Sequence, residues 1–129
     1  MLNESVKKLL SEQLWYVVTF SDEPNAVPVG FKMVSEDGKL IIGDVFMETT
    51  VKNIQANGKA AVSACDPATS EGYQVKGSAE YLTEGPIVDM VKKVAAEKFN
   101  GALAAKGAVV ITPEKVIVTT PGPDNKKEL

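Results

Sequence analysis

The residues best suited to chemistry form one short run, Thr49-Thr50-Val51-Lys52-Asn53-Ile54, preceded by Gly43-Asp44-Val45-Phe46-Met47. Apolar Leu40-Ile41-Ile42 on one side and the alternation after Lys59 on the other read as strands, with a short helix between them that begins at the two threonines. A helix start carries backbone N–H groups without intrahelical partners and a positive partial charge, so hydroxyls and a lysine placed there can hold an anion such as a phosphate. At helical spacing Thr49, Lys52 and Asn53 share one face, and Met47, Val51 and Ile54 form the opposing apolar stripe. On these residues alone two readings stay open: a phosphate site, or threonines capping a surface helix beside a solvated lysine. The glycine spacing is neither that of a P-loop nor that of a dinucleotide fingerprint.

Composition narrows the chemistry. The 129 residues hold no histidine and one cysteine, Cys65. That excludes Ser-His-Asp and Cys-His units, histidine-ligated zinc or haem, thiolate metal clusters and dithiol redox pairs. No carboxylate pair is placed for acid–base work, so no catalytic side chain and no metal site is assigned, and redox or group-transfer chemistry would fall to a cofactor. Cys65, at the end of an alternating strand, reads as a small buried hydrophobe. The net charge is −3 and all 14 cations are lysine. A nucleic-acid partner would demand a concentrated basic face, so none is expected. No apolar run is long enough to span a membrane and no charged-then-apolar leader opens the chain, which makes the reducing cytoplasm the expected compartment.

Positions 3–13 read as an amphipathic helix capped by Asn3, with Leu2, Val6, Leu9 and Leu10 on its apolar stripe. Strands are expected over 14–20, 26–35, 39–44, 59–65, 73–82, 107–112 and 116–120, separated by turn chemistry that includes Thr112-Pro113-Glu114-Lys115. A second amphipathic helix follows Gly85 with Pro86 in its first turn and stops at Asn100-Gly101. In the strand over 73–82, Tyr73, Val75, Gly77, Ala79 and Tyr81 face one way, and Gly77 marks a sharp bend or a close approach of other backbone or ligand. The pattern predicts a mainly β fold: one domain over 1–129, an antiparallel barrel of six to seven strands with flanking helices. Its polar tail, 121–129, is expected to be mobile or ordered only against a partner subunit.

The order of these segments, with Thr-Thr-Val-Lys-Asn-Ile between two strands and Gly-Tyr-Gln-Val-Lys-Gly-Ser-Ala-Glu-Tyr after them, resembles the FMN-binding split-barrel family related to pyridoxamine 5'-phosphate oxidase. The likeness runs over nearly the whole chain and is closest to the small single-domain FMN-binding members. It implies a homodimer with FMN at the subunit interface and residues of both chains around each flavin. By the same resemblance Thr49, Thr50, Lys52 and Asn53 hold the FMN phosphate. Val45, Phe46 and Met47 line the ring, Pro28, Val29 and Gly30 form the adjacent wall, and Gln74 and Lys76 reach the phosphate or ring edge from the long strand. Many members carry a lysine or arginine where this chain has Thr50.

Arginines and a histidine read the substrate in true pyridoxamine 5'-phosphate oxidases, and this chain has neither residue type. The resemblance therefore implies an FMN electron carrier or general flavin-dependent oxidoreductase, docking through an acidic surface to a redox partner protein. The alternatives are an FMN-dependent reductase or oxidase of one small molecule, with Tyr73 or Lys76 as proton source, and a flavin-free ligand-binding module. A deazaflavin could replace FMN.

Overall fold

The computed structural model describes residues 2–129. Helix α1 (Glu4–Glu12) starts where Asn3 accepts the Val6 N–H at 2.9 Å, a side-chain bond that satisfies one of the free donors of the first turn. Its stripe of Val6, Leu9 and Leu10 is buried. The Leu10 carbonyl, near the helix end, accepts from the indole Nε1 of Trp15 at 2.7 Å and from Lys32 Nζ at 2.9 Å. Burial, and then the charge of Lys98, pull Lys32 below the usual lysine pKa.

Strands β1 (Trp15–Phe20), β2 (Pro24–Val29), β3 (Lys32–Val34), β4 (Leu40–Asp44), β5 (Lys59–Cys65), β6 (Gly72–Leu82) and β7 (Gly107–Val118) form one antiparallel sheet in the order β2-β1-β5-β6-β7-β4-β3. β2 and β3 are consecutive in the chain yet occupy opposite edges of the sheet. Only Gly30 and Phe31 join them, and the three Cα steps from Val29 to Lys32 span at most about 11 Å. The sheet must therefore curl until its edges face each other, leaving a barrel split along one seam.

Two cores follow from the period-2 alternation. Leu40, Ile42, Val62, Val75 and Ile111 point into the barrel with Trp15 and the stripe of α1. Ile41 and Ala108 point outward and are covered by Val88, Val91 and Ala95 of α3 (Pro86–Lys98). β4 is thus covered on both faces, which explains its unbroken apolar run.

The structure corrects several expectations. The strand expected over 26–35 is two strands, because the chain leaves one sheet edge at Gly30 and enters the other at Lys32. The two strands expected around Pro113 are one, β7, which passes the proline at a register shift opposite Lys76 and Gly77. A Cβ on Gly77 would stand 2.0 Å from the Thr112 carbonyl oxygen, so close backbone approach is what that glycine permits. Cys65 is exposed, since Ala60, Val62 and Ala64 take the inward positions of β5. The tail is ordered against its own chain: Lys126 N–H donates to the Val118 carbonyl at 2.7 Å and Leu129 N–H to the Val116 carbonyl at 2.9 Å. There it covers the stretch of β7 that has outrun β4, whose pairing ends at Ile111.

Candidate functional site

Helix α2 (Thr49–Asn57) connects β4 to β5. Its N-cap is Glu48, which makes no side-chain cap bond, so Thr49 and Thr50 lie in the first turn instead of capping it, and the first N–H groups remain free. The buried residues are Thr50, Asn53 and Ile54. The predicted faces are therefore rotated: Thr49 and Lys52 are exposed, whereas Asn53 turns to the sheet and donates to Thr19 Oγ1 at 3.1 Å. Both members of that pair are buried, Thr19 at 1% exposure and Asn53 at 5%. Thr50 is equally enclosed and accepts from Asn25 Nδ2 at 3.2 Å.

The start of α2 opens into a cleft of about 530 Å³ at the barrel seam, a volume in the range of small-molecule and cofactor sites. β2 contributes Val29 and its neighbours to one wall, and the loop after β4 contributes Val45, Phe46, Met47 and Glu48 to another. Gly30 leaves its side open, with only Leu14 Cδ1 within 4 Å of a built Cβ, at 3.9 Å. Phe31 lies under Gly43, where a Cβ would fall 2.3 Å from the ring. Phe99 stacks edge-on against Phe31 with centroids 5.7 Å apart and, with Leu103, closes the far side. Lys98 spans this wall: its Nζ donates to the Gly30 carbonyl at 3.3 Å and lies over both phenylalanine rings.

The structure thus brings Val29, Gly30, Val45, Phe46, Met47, Thr49 and Thr50 together with Pro28, and leaves Lys52, Asn53, Gln74 and Lys76 outside the cleft. Lys76 belongs to a second hollow on the outer sheet face, with Phe20, Lys59 and Lys115. Tyr73 stands beside the tail, where it donates to Glu71 Oε2 at 2.7 Å; burial first, then that bond and charge, push it up to about 12. It is remote from the cleft lining and unsuited to give up a proton near neutrality. Sequence reading missed Asn25, Phe31, Phe99 and Leu103. For Phe31 a signal existed in the adjacent Gly30; Phe99 reads from the sequence only as the last residue on the apolar side of the second helix, which it caps, and Leu103 lies beyond that helix.

A split barrel with a cofactor-sized cleft at its seam defines the class. Residues 2–121 match the family model described as pyridoxamine 5'-phosphate oxidase, and the chain belongs to that family. It is 33% identical over 130 residues to the uncharacterized protein MJ0282 of Methanocaldococcus jannaschii, covering 98% of this chain and 86% of the relative. Among solved structures it resembles HupZ of Group A Streptococcus, with a TM-score of 0.84, 28% identity and coverage of 96% of this chain and 98% of that one. An FMN-binding protein of Syntrophomonas wolfei shares the fold with a TM-score of 0.77 at 17% identity, covering 91% and 85% of the two chains. Among the described residues no helix is long and apolar enough to cross a membrane, and no cluster of metal-ligating side chains occurs.

Proposed function

We propose that the protein binds FMN in the seam cleft and acts as an electron carrier or general flavin-dependent oxidoreductase, as a homodimer in a reducing compartment. The observation that carries this reading is the uncapped start of α2, with Thr49 and Thr50, opening into an apolar cleft of flavin-compatible size. There the free N–H groups and the Thr49 hydroxyl would receive the phosphate. Val29, Val45, Phe46, Met47 and the open side of Gly30 would bracket the ring. When bound, a flavin supplies reversible electron transfer; the chain's residues fix its orientation and exclude water. Outer-sphere electron transfer needs no protein acid or base, in keeping with a chain that has no histidine.

A dimer would give two of the predicted residues outside the cleft, Gln74 and Lys76, a role. Tyr16, Val18 and Phe20 alternate outward on β1 and are 50%, 38% and 51% exposed, an apolar stripe beside Lys59 and Lys76. Covered by a second copy, that face would carry Lys76 and Gln74 toward the partner's cleft and add a cation there.

The test is a visible absorption spectrum of the purified protein, before and after adding FMN and removing the excess by gel filtration. The expected result is a protein-bound flavin spectrum near one equivalent per chain. No retained flavin would overturn the reading in favour of a module for another ligand, and a deazaflavin spectrum would replace the cofactor but keep the site.

A further inference from the structure

We propose that Asp44 and Tyr81 form the device that positions the β4–α2 loop at the cleft, with Asp44 as its positioning residue; the proposed consequence for the flavin rests on the FMN reading above. Asp44 is 1% exposed, and the ion pair found among the described residues, Lys7 with Glu4, lies elsewhere. A carboxylate at that depth is tolerated only when its oxygens are hydrogen-bonded. Both are. Oδ1 accepts the Met47 N–H at 2.8 Å, and Oδ2 accepts the Tyr81 hydroxyl at 2.6 Å.

Lys106 ties the same loop from the other side. Its N–H donates to the Asp44 carbonyl at 2.7 Å and its Nζ to the Met47 carbonyl at 3.5 Å. Residues 44 and 47 are therefore pinned while Phe46, between them, stands 77% exposed at the cleft lip.

The tyrosine can reach the carboxylate only because position 107 is glycine. A Cβ there would lie 2.6 Å from the Tyr81 hydroxyl and 2.5 Å from the Leu82 carbonyl oxygen. Burial, then the bond and charge of Asp44, push Tyr81 up to about 12, so the hydroxyl keeps the proton it donates. Asp44 also sits between Gly43 and Val45, both of which line the cleft. An ionised carboxylate at that position would disfavour electrons added to a ring bound there.

The test compares wild type, Tyr81→Phe and Asp44→Asn by FMN titration, by midpoint potential of the loaded protein and by amide hydrogen exchange at Met47. Tyr81→Phe removes one hydroxyl. It should weaken FMN about tenfold and speed Met47 exchange by a similar factor. Asp44→Asn keeps an oxygen for the Met47 N–H and can donate its amide to the tyrosine oxygen. It should hold FMN within about threefold of wild type while raising the midpoint potential. Unchanged affinity and exchange in the first variant, together with an unchanged potential in the second, would overturn the proposal. Should wild type bind no FMN, the cofactor reading fails; Met47 exchange, measured without flavin, still decides whether the pair holds the loop. The near-isosteric Asp44→Asn keeps the proposal falsifiable if loss of the hydroxyl unfolds the chain.

Discussion

The seam cleft and the hollow on the outer sheet face have the same volume, about 530 Å³ each, and nearly opposite chemistry. The cleft combines free helix N–H groups, threonine hydroxyls and apolar walls with one carboxylate, Glu48, while Lys98 and Lys106 bind backbone carbonyls of its wall. The outer hollow gathers three lysines, Lys59, Lys76 and Lys115, and one carboxylate, Glu114, around Val18, Phe20 and Pro24. Volume therefore does not tell the two apart, whereas the placement of charge does. One chain supplies an anion-ready helix start in one place and a group of cations in another, and the sequence reading had assigned residues from both to a single site.

The largest effect should come from the backbone on which the outer hollow is built. Gly77→Ala places a Cβ 2.0 Å from the Thr112 carbonyl oxygen, and the strain of displacing β7 should cost about 3 kcal/mol in denaturant unfolding. If the two regions work independently, the folded fraction keeps wild-type FMN affinity; if they meet across a dimer, affinity falls as well. The cleft itself is probed by Thr49→Glu, an exposed position, which should weaken FMN about 100-fold through repulsion of the phosphate. Thr50→Glu is the poorer choice, since Thr50 is 2% exposed and the new carboxylate would be buried.

Lys76→Glu should weaken FMN about tenfold, and less so at high salt. Mixing the Thr49→Glu and Lys76→Glu chains sharpens the comparison. Heterodimers would rebuild one intact site from the unmodified cleft of one chain and the unmodified Lys76 of the other. Recovered flavin binding in the mixture is the expected outcome, and none would separate the two regions functionally. Asn53→Ala should cost about 1 kcal/mol of stability by leaving the buried Thr19 hydroxyl without its partner. FMN affinity per folded chain should be unchanged, which distinguishes a structural amide from a phosphate ligand.

A further effect is confined to alkaline pH. Tyr73 and Tyr81 are both raised from 10.0 to about 12 in the folded protein. Between those values the unfolded chain loses its phenolic protons first, so stability should fall as pH rises from 10 toward 12 and be unaffected below. Replacing Tyr81 by Phe removes the contribution beside the cleft loop, and replacing Tyr73 removes the one beside the tail; urea midpoints across that range would separate them.

Much of the fold was legible because its signals are local. Asn3 caps α1, Pro86 opens α3, and Asn100 and Gly101 take positive φ where that helix stops. Alternation gave the inward set of β6, and Gly77 marked a close approach. The errors share one cause, since each lay where tertiary contact overrode local chemistry. Pro113 is tolerated within a strand because its partner is a glycine at a register shift. Gly30 divides one apolar run between opposite sheet edges.

For the site, the sequence by itself determined the composition of the α2 start and the absence of histidine and of paired thiols, and with them which chemistries are open. Those are properties of residue types and of spacing within a few positions. Tertiary structure decided that Thr50 and Asn53 turn inward, that Phe99 and Leu103 complete a wall begun by Val29, and that Lys76 stands on the opposite face. Helical phase is set by which side of α2 finds the sheet. A cleft made from the seam of a closed sheet exists only once strands distant in the chain have paired.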